Sequence, residues 1–488
     1  MIIAKHIPAL QVLIPFFAAL ISAISFNKFV SWLIATISVA LGFALSIYAM
    51  NFAYSGMTYA FGNWSAPIGI EYRVDILNQP VIIFINGVLL FFLIFGRELI
   101  SRTITDYIDD KKQHIFYALL LFAHTGYLGV ISTNDLFNIY VFIEISSLAT
   151  YVLMSKGGNP RALIGAFDYL MLGTIGATLI LIGIGFFLAL TGSLNITDVS
   201  KILTQHYNSG SRIIITAIVF FLSGAILKMA FFPMHFWMVR AYSSAAPFIL
   251  TYTAAISSIF GVYIILRFTH FTINGELIEA SINAILRPIA MFTIAVCTFL
   301  ALKSNNLKKV IIYSTASQIG YIFLLMSIWS ARNLLFQLLM LDAINKIALF
   351  TIVAHLQNAS GSLDFDHFSS IRNSSLFKLL TAFSLIFSAG LPLSAMFFVK
   401  IKLFDLLIST GLFWEFLVVI LGGVFGMLYH LKMSRAIFFS PKSNGEIEIN
   451  TKLHGLCAIV IFQIVLITYS QDIATLAGHT KSIILGGS

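Results

Sequence analysis

Residues 213–235 read IIITAIVFFLSGAILKMAFFPMH, an apolar run that carries a single charge, Lys228, followed five positions later by Pro233. A lysine at the centre of a bilayer costs roughly 2.5–3.5 kcal/mol on insertion scales, and such residues face a bundle interior or a water-filled path. Pro233 has no N–H and its ring clashes with the carbonyl of Met229, so the helical ladder is predicted to break one turn beyond the charge. Broken helices at membrane depth persist only where they line a cavity or are buried in protein. The run therefore predicts an ion path inside a helical membrane protein.

Composition points the same way. Of 488 residues, 59% are hydrophobic, 10% are charged and 46 are Phe, which leaves too little polar surface for a soluble domain. At about 20 apolar residues per span, fourteen segments are predicted, including 7–25, 79–97, 135–155, 212–233, 243–267, 333–356, 376–405 and 453–471. The first lacks a small-residue cleavage site and is read as a retained helix. The longest polar connections, about 55–78, 98–113 and 357–375, are too short to bury a core.

The net charge of +9 raises the question of nucleic acid or anionic lipid, and the placement of Lys and Arg answers it. Seventeen fall in loops after odd-numbered segments, among them Arg97, Arg102, Lys303, Lys308, Lys309, Arg372, Lys442 and Lys452. Eight fall on the other side: Lys5, Arg73, Lys201, Arg212, Arg267, Arg287, Arg332 and Lys481. The charge thus reads as a topology signal. By the positive-inside rule both termini are expected outside, in a plasma (inner) membrane protein with no nucleic-acid partner.

Four Lys lie within spans: Lys228, Lys346, Lys400 and Lys402. Phosphate-loop, dinucleotide and metal-ligand motifs are missing, so neither cofactor nor metal is expected. Gly173, Gly176, Gly183 and Gly185 lie in one apolar helix and read as close-packing positions. His124, His355 and His430 sit singly in spans and read as hydrogen-bonded to neighbouring helices.

Glu144 stands in the middle of the segment STNDLFNIYVFIEISSLATYVL. A carboxylate there is pulled up in pKa by desolvation and down by a nearby ammonium, a combination suited to loading and releasing a proton. A structural salt bridge is the plainer reading. The presence of Lys228, equally isolated, favours the functional one.

The stretches NDLFNIYVFIE (134–144), LKMAFFPMHFW (227–237), LKKVIIYSTASQIGYIF (307–323), INKIALF (344–350) and GLPLSAMFFVK (390–400) are jointly specific. Across about residues 75–440 the chain resembles the antiporter-like membrane subunits shared by Mrp-type cation/proton antiporters, membrane-bound hydrogenases and respiratory complex I. The resemblance implies an all-α polytopic protein of about 14 transmembrane helices with two inverted five-helix repeats, each containing a broken helix. Residues 1–112 then form an N-terminal three-helix region, 113–270 the first repeat, 271–440 the second, and 441–488 the last helix and tail.

Residue by residue, the resemblance makes Glu144 and Lys228 the family's glutamate and lysine pair, Lys346 its lysine of the eleventh helix and Lys400 its lysine of the twelfth. Pro233 and Pro392 mark the breaks. Two positions depart from the pattern. Ile259 stands where many relatives carry Lys or His, and Asp342 where a His is usual. Asp342 and Lys346 are spaced i, i+4 and share a helix face, which predicts a salt bridge or a carboxylate relay. His235, two residues after Pro233, is a further candidate for the proton path.

Residues 165–200 are most similar to the D subunit of Mrp-type antiporters, and no long lateral helix follows the last span. The resemblance implies a subunit of a multisubunit Na⁺ or K⁺/H⁺ antiporter that works with other membrane subunits and is not itself an enzyme. A proton-pumping subunit of a quinone-reducing or hydrogenase complex is the alternative. Ile259 leaves a third open, a non-conducting scaffold.

Overall fold

In hydrocarbon every backbone polar group must be satisfied within its own segment, so apolar runs of this length have the helix as their solution. The structure, a computed structural model, describes residues 5–158, 160–206, 211–271, 276–328, 331–365, 375–392, 394–439 and 453–468. Arg372, Lys442, Lys452 and Lys481 of the charge tally, and most of the 441–488 region, lie outside the described residues.

The helices in chain order are α1 (Ile7–Ile24), α2 (Lys28–Ala53), α3 (Gln79–Ile94), α4 (Arg97–Tyr107), α5 (Gln113–Ser132) and α6 (Leu136–Met154). Next come α7 (Pro160–Thr191), α8 (Ile196–His206), α9 (Arg212–Lys228), α10 (Phe236–Ser244), α11 (Pro247–Phe271) and α12 (Glu276–Lys303). The last six are α13 (Leu307–Met326), α14 (Arg332–Ser360), α15 (Ser375–Ala389), α16 (Ala395–Ser409), α17 (Phe413–Phe438) and α18 (His454–Thr468). Among the described residues ten helices are long and apolar enough to cross a membrane, or eleven if α3 and α4, bent by 71°, are one span. This makes the chain a multi-pass integral membrane protein. The expected fourteen exceed that number because α9, α15 and α18 have only 17, 15 and 15 residues.

Two connections hold more structure than the sequence suggested. Residues 55–78 contain an antiparallel hairpin, β1 (Met57–Ala60) with β2 (Glu71–Val74), so the helical fold carries a small sheet. The polar stretch after α3 folds as α4, whose Ile100 and Ile104 are buried, an apolar stripe at helical spacing.

Packing divides the chain into two compact units. The first comprises Met1–Met229, Ser244–Ala246 and Phe260–Ile282; the second Ala230–Ser243, Pro247–Ile259 and Asn283–Ser488. In the first, small residues let α9 lie directly on α7: a Cβ on Gly224 would fall 2.3 Å from the Gly176 carbonyl oxygen, and one on Gly183 2.8 Å from that of Ala217. Gly173 likewise makes room for the Tyr151 hydroxyl, whereas Gly185 faces open space and has no packing role.

The same hydrogen-bond motif occurs once in each unit. Leu136 N donates to Leu194 O while Ile196 N donates to Asn134 O; Leu307 N donates to Leu363 O while Phe365 N donates to Asn305 O. In both cases the bridging residue, Asp135 or Asn306, caps the next helix. Asp135 accepts from Asn138 N at 2.7 Å and Asn306 from Lys309 N at 3.2 Å.

Among the described residues, the expected 212–233 and 376–405 spans are interrupted. α9 stops at Lys228, Ala230 adopts a left-handed φ of 58°, and α10 starts only at Phe236. The break therefore begins before the position that Pro233 alone predicted. The second divides the expected 376–405 span into α15 and α16, with Gly390 at φ 69° where an L side chain is disfavoured. Pro392 lies within it.

The glycine crossing makes a direct prediction. Gly224→Leu should destabilise the protein by roughly 1–3 kcal/mol through overpacking, while Gly185→Ala should be neutral; thermal unfolding of the protein in mild detergent measures both.

Candidate functional site

The first cluster is built on α6, which Asp135 caps. Glu144 and Ser147 stand three residues apart on that helix and so share a face. Lys228 approaches from α9, its stem running over Gly176, where a Cβ would come within 3.2 Å of Lys228 Cγ. The ammonium donates to Ser147 Oγ at 2.9 Å. Glu144 lies within Coulombic reach of Lys228, yet its Oε1 is buried without a hydrogen-bond partner. The ammonium is thus held by a hydroxyl that sequence reasoning did not single out, and among the described residues no ion pair joins it to Glu144. As the last residue of α9, Lys228 also sits at the end of a helix whose free carbonyls favour a cation.

The second unit begins within the break, at Ala230. There Phe232 N donates to Thr293 Oγ1 at 3.3 Å. His235 is 1% exposed, with its ring against those of Phe232 and Phe236.

Lys346 and Asp342 form an ion pair on α14, both almost fully buried. Lys346 also donates to Ser258 Oγ on α11 at 3.0 Å. Ser258 immediately precedes Ile259, which is fully buried. Asn345, adjacent to Lys346, donates to Ser388 Oγ at 3.0 Å. Ser388 in turn meets His430 Nε2 at 2.6 Å, and His430 Nδ1 lies 2.7 Å from Gly426 O.

Lys400 closes this string. From α16 it donates back to the Ala389 carbonyl at 3.2 Å, over Gly390, where a Cβ would lie 2.9 Å from Nζ. It is also within Coulombic reach of His430. Asp342, Lys346, Asn345, Ser388, His430 and Lys400 thus form a polar series through apolar helices.

Ser147, Ser258, Asn345 and Ser388 carried little signal in the sequence, since hydroxyls and amides in apolar helices commonly bond to their own backbone. His430, read as hydrogen-bonded to a neighbouring helix, has that partner in Ser388. His124 is likewise bonded across helices, 2.9 Å from Asn86 Oδ1. Among the described residues no group of three or more His, Cys, Asp or Glu is arranged to hold a metal ion, and both cysteines are free thiols.

Broken helices, each with an intramembrane lysine, define an antiporter-like class of membrane subunit. The family model described as NADH:quinone oxidoreductase/Mrp antiporter, TM matches residues 133–426, and the chain belongs to that family. It is 33% identical over 325 residues to the N subunit of the NADH-quinone oxidoreductase of Desulforudis audaxviator, a match that spans 65% of this chain and 63% of that protein. It is 24% identical over 425 residues to the D subunit of the Na(+)/H(+) antiporter of Alkalihalophilus pseudofirmus, covering 86% of this chain and 83% of that one. A chain in the structure of the Mrp complex from Dietzia sp. has the same fold, with a TM-score of 0.87 at 17% identity over 99% of this chain and 98% of that one.

The buried pair on α14 can be tested by a double-mutant cycle. Asp342→Asn or Lys346→Ala alone leaves an uncompensated buried charge and should cost roughly 3–5 kcal/mol. The double variant should lose clearly less than the sum, as read from unfolding midpoints; strict additivity would show that the two side chains are not coupled.

Proposed function

We propose that this chain is the proton-translocating subunit of a multisubunit Na⁺ or K⁺/H⁺ antiporter, of the D type. The observation that carries the reading is the pair of lysines lodged at the two helix breaks, one beside Glu144 and one ending a buried polar series. Proton affinity at Lys228 is set by how close Glu144 lies, since an opposite charge within ~4–6 Å moves a pKa by one to three units. The proton passes in the order Glu144, Lys228, His235 with water, Lys346 and Asp342, then Lys400. With no redox motif, the chain drives uphill exchange only by coupling two ion gradients, and its relatives belong to multisubunit complexes, so it works beside other membrane subunits in a lipid bilayer, as a transporter subunit and not an enzyme.

The matched hydrogen-bond motifs at Leu136/Leu194 and Leu307/Leu363 support a repeat of the first block in the second, with residues 113–270 and 271–440 as the two halves. Discontinuous helices in corresponding positions are the pattern that such transporters use. A second reading has one specific observation in its favour, the 33% identity to the N subunit of an NADH-quinone oxidoreductase. In it the same path pumps protons for a redox complex. Purification of the intact assembly from native membranes separates the two: flavin or iron–sulfur subunits identify the redox complex, and small multi-helix subunits the antiporter.

Glu144→Gln and Lys228→Ala should each abolish proton-coupled transport in vesicles, measured per assembled complex. A scaffold would show the reverse, with fewer complexes but normal transport in those that form. Normal specific activity in both variants would sink the proton-path reading.

We further infer that both termini face outward in the inner (plasma) membrane. In a cysteine-free background, Ser65→Cys should react with an impermeant thiol reagent on intact cells and Lys303→Cys only after lysis. The opposite pattern would invert the topology.

A further inference from the structure

One face of α16 does not look like a lipid-facing surface. Phe398, Ile401, Lys402, Asp405 and Ile408 are all exposed and recur at the three- and four-residue spacing that places them on a single stripe. Apolar residues there suit either lipid or protein. Two exposed charges of opposite sign do not suit lipid. Lys402 lies seven residues from the end of the helix at Ser409, about 10 Å along the axis at 1.5 Å per residue. Side chains lean toward the N-terminus of their helix, so the Lys402 stem leans away from the nearer membrane surface and is poorly placed to snorkel to it. Among the described residues neither Lys402 nor Asp405 has an ion pair or hydrogen bond.

We propose that this stripe is a docking face for a transmembrane helix of a different subunit, one that presents a carboxylate to Lys402 and a hydrogen-bond donor or cation to Asp405. An anionic lipid headgroup would satisfy Lys402 but be repelled by Asp405, whereas a helix carrying both partners satisfies both. Phe398, Ile401 and Ile408 supply the apolar knobs around the charges, the arrangement by which polar groups fix register between membrane helices. Lys400, two residues earlier, points instead to the Ala389 carbonyl, so α16 divides its lysines between the interior series and the outer face. The inference rests on the reading that the chain works in a heteromeric assembly.

The test uses the whole complex in native membranes. A benzophenone amino acid replaces Ile401 or, as a control on a different exposed helix, Leu163. Irradiation is expected to join the Ile401 variant to a different polypeptide, at a span with Asp or Glu within a turn of the adduct. Adducts only with lipid, adducts with a second copy of this chain, or a yield no greater than at Leu163 would each overturn the proposal. In the second arm, Lys402→Ala should lower the fraction of chain found in assembled complex roughly tenfold, and Lys402→Arg should restore it. Normal assembly of Lys402→Ala would also overturn the proposal. Transport per assembled Lys402→Ala complex should stay at the wild-type level, which keeps a failure of the docking face distinct from a failure of the proton path.

Discussion

The structure turns on the difficulty of keeping an ammonium among apolar helices. A charged group taken out of water needs hydrogen bonds in good geometry or it is lost as a charge. Unbroken helices offer few, because their carbonyls are already engaged. Each interrupted span frees several. Lys400 reaches the last carbonyl of α15 across Gly390, at the partly negative end of a half-helix, whereas Lys228, the last residue of α9, gives its hydrogen bond to Ser147 on α6. A residue at positive φ, Ala230 or Gly390, follows closely on each of these helix ends.

A different solution operates beside the hairpin. Arg267 on α11, 1% exposed, is fixed by Asp75 at 2.7 Å, and Asp75 also accepts from Leu77 N and Asn78 N. Burial pushes the Asp75 carboxyl up, but the Arg267 guanidinium, with help from Arg73 and the Asn78 amide, holds it below the usual carboxylate range. This pair ties the loop after β2 to the end of a membrane helix. It also changes the meaning of the charge count, since Arg267 is a buried structural cation and not a loop charge. Lys308, counted on the opposite side, is buried as well. One residue leaves each side of the tally, and the asymmetry behind the proposed orientation survives.

Isolated charges and prolines were the legible part of the sequence because they are expensive where they stand. Lys228, Lys346, Lys400, Asp342 and Pro233 stand out against apolar neighbours, and the i, i+4 spacing sufficed to pair Asp342 with Lys346. The partners were harder to read. Nothing local distinguishes Ser147 or Ser388 from serines that bond to their own helix, such as Ser384, which donates to Leu380 O. Which serine faces a lysine depends on how helices cross, and for α7 and α9 that crossing is set by Gly176 and Gly224. The start of the first break was also hidden, since an alanine at positive φ has no signature in sequence.

Ile259 was the strongest reason to consider an inert scaffold, and its surroundings weaken that case. A chain that only filled space would lose nothing by exchanging its buried charges for apolar residues, since such replacements are often neutral or stabilising. Instead, the helix that carries Ile259 offers Ser258 to the Lys346 ammonium at 3.0 Å. A hydroxyl can accept a hydrogen bond and donate one at the same time, so it can relay a proton or hold a water without titrating. Ile259 itself is fully buried, and the hydroxyl that precedes it in the chain is the group that holds the buried ammonium.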